Sequence, residues 1–175
     1  MLRVKDFLSN GQTLRKKSRE NIDKGPVTDA YRLDMKRVIH VLNQALATEL
    51  VCGLRYRRHF FTAQGLNAQA AATEFLELAG EGEQHTDRIA ARISQLGEEP
   101  DFNPEWLTGP SHSQWDSSVE LEEMIREDLV VELVAITSYT EIVAWLGQSD
   151  PTIRRMIEEI LAVEVRARMK TCLIS

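Results

Sequence analysis

Apolar residues recur along this chain at alternating three- and four-residue steps, the spacing of amphipathic helices, and convincing strand alternation is absent. The pattern predicts four long helices. The first is expected from about Asp29 to Thr62, on a stripe of Met35, Ile39, Leu42, Leu46, Glu49, Gly53, Tyr56 and Phe60, with a break at Gly65 and Asn67. The second is expected from about Ala68 to Leu96, on Phe75, Leu78, Gly82, His85, Ile89 and Leu96, and Gly97 ends it. The third starts near Ser117, where Glu120 three residues on has the spacing of a capping box. It continues to Leu146 on Leu121, Ile125, Asp128, Glu132, Ala135, Tyr139 and Ile142. The fourth opens at Asp150 with Pro151 in its first turn. Its stripe is Ile153, Ile157, Ile160, Glu164 and Ala167.

The connections set the topology. Few residues join the first helix to the second, or the third to the fourth, so each pair is expected to be an antiparallel hairpin. Between the pairs lies EEPDFNPEWLTGPSHSQW, proline-rich and too long for a simple turn. A helix of about 30 residues is roughly 45 Å long, and about 20 extended residues reach roughly 66 Å. The segment can therefore cross from one end of a bundle to the other. The fold class expected is all-α: a four-helix bundle with one long crossover between helices 2 and 3. Residues 1–28 read as an extension with one short amphipathic helix using Phe7, Leu8 and Leu14, followed by a break at Gly25-Pro26. Residues 29–175 are expected to form the bundle.

Length and composition agree with one soluble domain: 175 residues, 43% hydrophobic and 27% charged. A net charge of −6 argues against general affinity for nucleic acid or anionic membrane. The basic run Arg15, Lys16, Lys17, Arg19 is offset by Glu20 and Asp23, and reads as a solvated face or an assembly contact. MLRVKDFLSNGQ has no apolar run of signal-peptide length and no segment is expected to span a membrane, so a cytoplasmic location is expected. Cys52 and Cys172 are then expected as reduced thiols.

Each apolar stripe carries a residue that does not belong in a hydrocarbon core: Glu49, His85, Glu132 and Glu164. A buried carboxylate or imidazole is expensive unless a charge meets it. Four converging on one axis point to a bound metal. Di-iron bundles take a single Glu from each of two helices and a Glu-x-x-His from each of the other two. Glu49 and Glu132 fit the single acids, and each is followed seven residues on by a tyrosine, Tyr56 or Tyr139, placed to hydrogen-bond a metal-site carboxylate. Asp128, one turn before Glu132, offers a further oxygen. Two positions are wrong for the pattern: Gly82, three before His85, and Ala167, three after Glu164.

At LNQALATEL, EGEQHTDRI, QLGEEPDFNP and REDLVVELVAITSY the chain resembles a bacterioferritin-type member of the ferritin-like superfamily, over about Asp29 to Glu164. The resemblance implies a ferritin-like four-helix bundle that oxidises iron(II) at a di-iron site and stores the mineral, in a homo-oligomer or a mixed oligomer with an intact paralogue. It places Glu49, His85, Glu132 and Glu164 on metal ligands. Gly82 stands where the second-helix glutamate is expected, with Glu81 the better of its two acidic neighbours as a substitute, and Ala167 stands where the last histidine is expected. Glu83 occupies the place of the haem-binding methionine, so haem is not expected. The tail VRARMKTCLIS lacks the family's acidic, Leu-rich continuation, and a shortened last helix is expected.

Two functions follow. One is iron handling impaired by the loss of two ligands, with a di-iron site by resemblance or a single metal in its place. The other is a non-catalytic structural subunit of a ferritin-like oligomer. A DNA-protecting cage of the starvation-protein type is disfavoured, because that class builds its metal site between subunits and this chain is acidic.

Overall fold

The computed structural model describes residues 10–23, 31–63 and 68–174, and among these the regular structure is entirely helical. The helices are α1 (Gly11–Glu20), α2 (Met35–Thr62), α3 (Ala68–Gln95), α4 (Leu121–Leu146) and α5 (Pro151–Ile174). The chain divides into two compact units, Met1–Ala30 and Tyr31–Ser175. In the first, α1 is capped by Asn10, whose side chain accepts from the Gln12 amide (2.9 Å), and it buries no residue. Phe7, Leu8, Gly25 and Pro26 lie outside the described residues, as do Asp29, Gly65 and Asn67.

The second unit is the bundle. α2 packs chiefly on α3 and α4 chiefly on α5, and α3–α5 and α2–α4 contacts join the two hairpins. Local chemistry sets the helix ends. Asp34 caps α2 through the Lys36 amide (3.0 Å), later than the expected start, because residues 31–34 are non-helical. Asp150 caps α5 by accepting from the amides of Thr152 (3.1 Å) and Ile153 (2.8 Å), with Pro151 in the first turn as expected. Gly97 and Gly147 terminate α3 and α4 with positive φ (90° and 50°), a backbone state that favours glycine.

The expected capping box of α4 does not form. The helix begins at Leu121, and Glu120 caps it without a side-chain hydrogen bond. Arg58 pins the Ser117 and Ser118 carbonyls (3.0 and 2.8 Å), and Ser118 turns its amide and hydroxyl onto Asp116. That local network keeps 117–120 out of the helix. At the other end of the chain, where a shortened helix was expected, α5 runs through the divergent tail to Ile174.

The crossover climbs along α2. The Asp101 amide bonds Asn43, the His112 amide bonds Thr48, the Gln114 carbonyl accepts from Arg55, and Asp116 meets His59. From Asn43 to His59 is about 24 Å of helix rise, so the segment spans much of the bundle's length.

The interior has two apolar clusters. One holds Leu42, Leu46, Ile89, Ile93, Tyr139, Ile142, Ile153, Ile157 and Ile160 among others. The other holds Cys52, Tyr56, Phe75, Leu78, Met124, Val131 and Ala167 among others. Between them, every helix of the bundle contributes a polar residue: Glu49 after Leu46, His85 before Ile89, Glu132 after Val131, and Glu164 after Ile160. The acids thus share one layer.

One sequence expectation needs correction. α4 contains an 18-residue window of mean hydropathy 1.6, long and apolar enough by those measures to cross a membrane. Only 28% of that window is buried; much of its hydropathy comes from the exposed Val130 and Leu133, while the charged Glu132 within the helix is fully buried in the bundle.

Candidate metal centre

Glu49, His85 and Glu164 meet inside the polar layer. His85 Nδ1 lies 3.2 Å from Glu49 Oε2 and 3.2 Å from Glu164 Oε1. One donor atom from each of the three residues lies within 4.8 Å of the others. Tyr139 donates its hydroxyl to Glu49 Oε1 from the opposite hairpin. That hydroxyl keeps its proton, because burial and the nearby Glu49 and Glu164 charges push its pKa far up. Tyr56 is also buried and lines the same space, but it is not placed against a carboxylate as Tyr139 is.

The electrostatics show what holds three such groups together. Burial alone would push the His85 ring down. Hydrogen bonds to Glu164 and Glu49, with their charges, outweigh it and raise His85 to about 9. The ring is therefore an imidazolium at neutral pH, clamped between two carboxylates. Burial and then the Glu49 charge raise Glu164 to about 7, against the opposing pull of His85.

Glu132, the fourth residue expected in the site, faces elsewhere. Its Oε1 accepts from Thr171 Oγ1 at 2.6 Å, and its Oε2 is buried without a partner. Burial raises its carboxyl to about 7, although the Thr171 bond opposes this. Thr171 comes from the divergent tail, and sequence reasoning missed it. The signal was present, since Thr171 continues the α5 stripe of Ile160, Glu164 and Ala167.

The two gaps face one small cavity of about 10 Å³, lined by Glu49, Cys52, Tyr56, Leu78, Glu81, Gly82, Ala135, Glu164 and Ala167. That is about the room one water molecule needs. A Cβ on Gly82 would sit 3.6 Å from both the Glu49 carbonyl and Glu49 Oε2, ordinary contact. Glu81 reaches the cavity wall but is not one of the three clustered donors. Glu83 points away and pairs with Arg57 at the surface (2.9 Å).

Asp128, expected as an extra oxygen for metal, has another role. Its Oδ1 accepts from Arg55 Nε (3.2 Å) and Nη2 (3.1 Å), and its Oδ2 meets His59 Nδ1 at 2.9 Å. His59 Nε2 then reaches Asp116 at 3.1 Å. Arg55, His59 and Asp128 are essentially inaccessible. This network ties α2 to α4 and to the crossover, and it leaves Asp128 no free oxygen. Arg55 and His59 were missed because a pattern of apolar positions reads such residues as solvated.

The comparisons agree with this architecture. A family model described as a ferritin-like domain matches residues 39–170. The chain belongs to the ferritin-like family. Among solved structures, this ferritin-like bundle is similar to the dodecameric thioferritin of Bacteroides fragilis, a bacterioferritin-related protein, at 26% identity and a TM-score of 0.77, over 81% of this chain and 86% of that one. It also superposes on Dps from Staphylococcus aureus (19% identity, TM-score 0.76, 82% and 99% covered). Dps from Thermosynechococcus elongatus is similar too (17%, 0.74, 78% and 88%). The last two speak for the ferritin-like fold alone. No curated protein matches the chain.

Proposed function

We propose that this ferritin-like chain binds one divalent cation, with iron(II) as the substrate, through Glu49, His85 and Glu164. Iron oxidation and storage are then retained only in reduced form. The observation that carries the reading is the convergence of two carboxylates and an imidazole within 4.8 Å, with Glu49 and His85 buried and Glu164 half-buried. Hard oxygen donors with one imidazole suit iron(II). A second ion does not fit the residues present: Gly82 and Ala167 bring no donor, and Glu132 is engaged by Thr171. Iron(II) held there would supply one electron to dioxygen or peroxide. The chain's own part is to exchange charge. Without a cation, the His85 imidazolium neutralises Glu49 and Glu164. On binding, His85 must release its Nδ1 proton, and Tyr139 keeps Glu49 oriented.

Optical measurement of iron(II) oxidation tests this, comparing the natural chain with Gly82→Glu plus Ala167→His. The repaired chain should oxidise iron faster. No gain in a folded repaired chain would count against the site.

The second reading is a non-catalytic subunit of a ferritin-like oligomer, alone or with an intact paralogue. It is supported by the His85 ion pairs, which balance the acids without any cation. A large oligomer that takes up no cation would favour it. The dodecameric Bacteroides fragilis protein makes assembly a natural expectation for either reading.

A further inference from the structure

α4 carries more apolar surface than the bundle core uses, since most of its apolar 18-residue stretch stays outside that core. Val130 and Leu133 are 52% and 50% exposed. They lie on one stripe of three- and four-residue steps, Arg126, Val130, Leu133, Thr137 and Glu141, and every member is exposed. Thr137 belongs to the apolar part. Its hydroxyl donates to the Leu133 carbonyl of its own helix (2.8 Å), which leaves the methyl group as the surface it offers. The patch extends sideways onto α5. The Glu132–Thr171 bond sets these antiparallel helices in register, and Arg168 donates to the Leu129 carbonyl at their seam. Exposed Met169 and Val165 therefore come about level with Leu133 and Thr137. An exposed apolar patch of this kind marks an interaction surface. None of these residues belongs to the polar layer, so the surface is independent of the metal centre.

The order of charges along the stripe selects the occupant. Arg126 stands seven residues before Leu133, and Glu141 stands eight after it. Between them, Val130 stands three before and Thr137 four after. About a point beside Leu133 the apolar positions are balanced and the end charges are opposite. Such a stripe is complementary to itself when turned end for end, which is what a two-fold interface requires.

We propose that a second copy of this chain docks on this face, α4 against α4 and antiparallel, with the two-fold axis beside Leu133. Leu133 then packs on the partner's Leu133, Val130 faces the partner's Thr137, and Arg126 meets the partner's Glu141 at both ends of the contact. Met169 and Val165 widen the covered strip. Within one chain Arg126 and Glu141 are about 22 Å apart along the helix, so their charges can pair only between copies. The contact Arg126 makes with Glu122 on its own helix is exposed, at 3.4 Å, and weak enough to yield.

Sedimentation equilibrium of the full chain, in chelator and at low ionic strength, tests the contact. The proteins compared are the natural chain, Leu133→Asp, Arg126→Glu, Glu141→Arg, and the double exchange Arg126→Glu plus Glu141→Arg. All the altered positions are exposed, and circular dichroism confirms the fold of each variant. The natural chain should self-associate in a concentration-dependent step that Leu133→Asp abolishes. Each single exchange turns two attractive pairs into two repulsive ones and should raise the dissociation constant of that step roughly 10-fold or more. The double exchange restores opposite charges across the two-fold axis and should bring the constant back towards the natural value. A purely local effect of either residue cannot give that recovery, because the two positions do not meet within one chain. A natural chain that stays monomeric would leave the face to some other partner and overturn the proposal. So would association that none of the variants changes, or a double exchange that binds no more tightly than the single ones.

Discussion

Replacing Glu132 by glutamine isolates the buried acid that the polar layer does not pair. In the native chain, Glu132 Oε1 accepts from Thr171, its Oε2 has no partner, and its carboxyl is raised from 4.5 to about 7. The folded carboxyl thus holds its proton well above the pH at which the unfolded chain releases it. The stability it contributes is present below about pH 4.5 and is lost as pH climbs through 7. A shift of that size corresponds to ~3 kcal/mol once Glu132 is ionised. Glutamine keeps the acceptor for Thr171 and cannot ionise. At pH 5, where Glu132 is mostly neutral in the folded chain, the gain should stay below about 1 kcal/mol. At pH 8.5 it should stabilise by about 2–3 kcal/mol, or roughly 4–12 °C in melting temperature for a chain of this size. Thermal unfolding followed by circular dichroism, in chelator, at both pH values reads the difference. Equal gains at the two pH values, or a loss at pH 8.5, would refute the reasoning.

Other consequences can be checked on the same protein. Asp128→Ala strands Arg55 and His59 in the core and should cost about 3–5 kcal/mol in urea unfolding, with faster proteolysis of the crossover that the network holds. The cation-free bundle should lose stability between pH 6.5 and 9, because His85 is raised from 6.5 to about 9 and its favourable ion pairs vanish as it deprotonates. Cation affinity should rise over the same interval, so the melting-temperature gain from added metal should be larger at pH 8.5 than at pH 6. Gly82→Glu alone should fold, since its Cβ meets only ordinary contacts. It should melt lower than the natural chain in chelator, having added an acid beside Glu49, and gain more on metal addition.

The bundle was legible because apolar periodicity reports which face of a helix is buried. Four stripes and one long proline-rich segment were enough for the topology. The helix ends were less legible. Ser117 and Glu120 have capping-box spacing, but Arg58 and Asp116 capture that segment first, and such competition between distant residues leaves no local trace. The polar layer was legible in its membership, since Glu49, His85, Glu132 and Glu164 all interrupt apolar stripes. Its pairings were not. A stripe shows that Glu132 is buried, not that Thr171 will hold it away from the other three. Asp128 likewise showed as an inward acid, and only its neighbours Arg55 and His59 reveal that it is fully spoken for.

The central claim is a site for one cation made by Glu49, His85 and Glu164. Elemental analysis of the natural chain and of His85→Ala, after equilibration with iron(II) without oxygen and removal of free metal, tests it most directly. One iron per natural chain, and none in the folded variant, is the result expected. A natural chain that retains no iron, or two per chain, or a variant that binds as well as its parent, would contradict it.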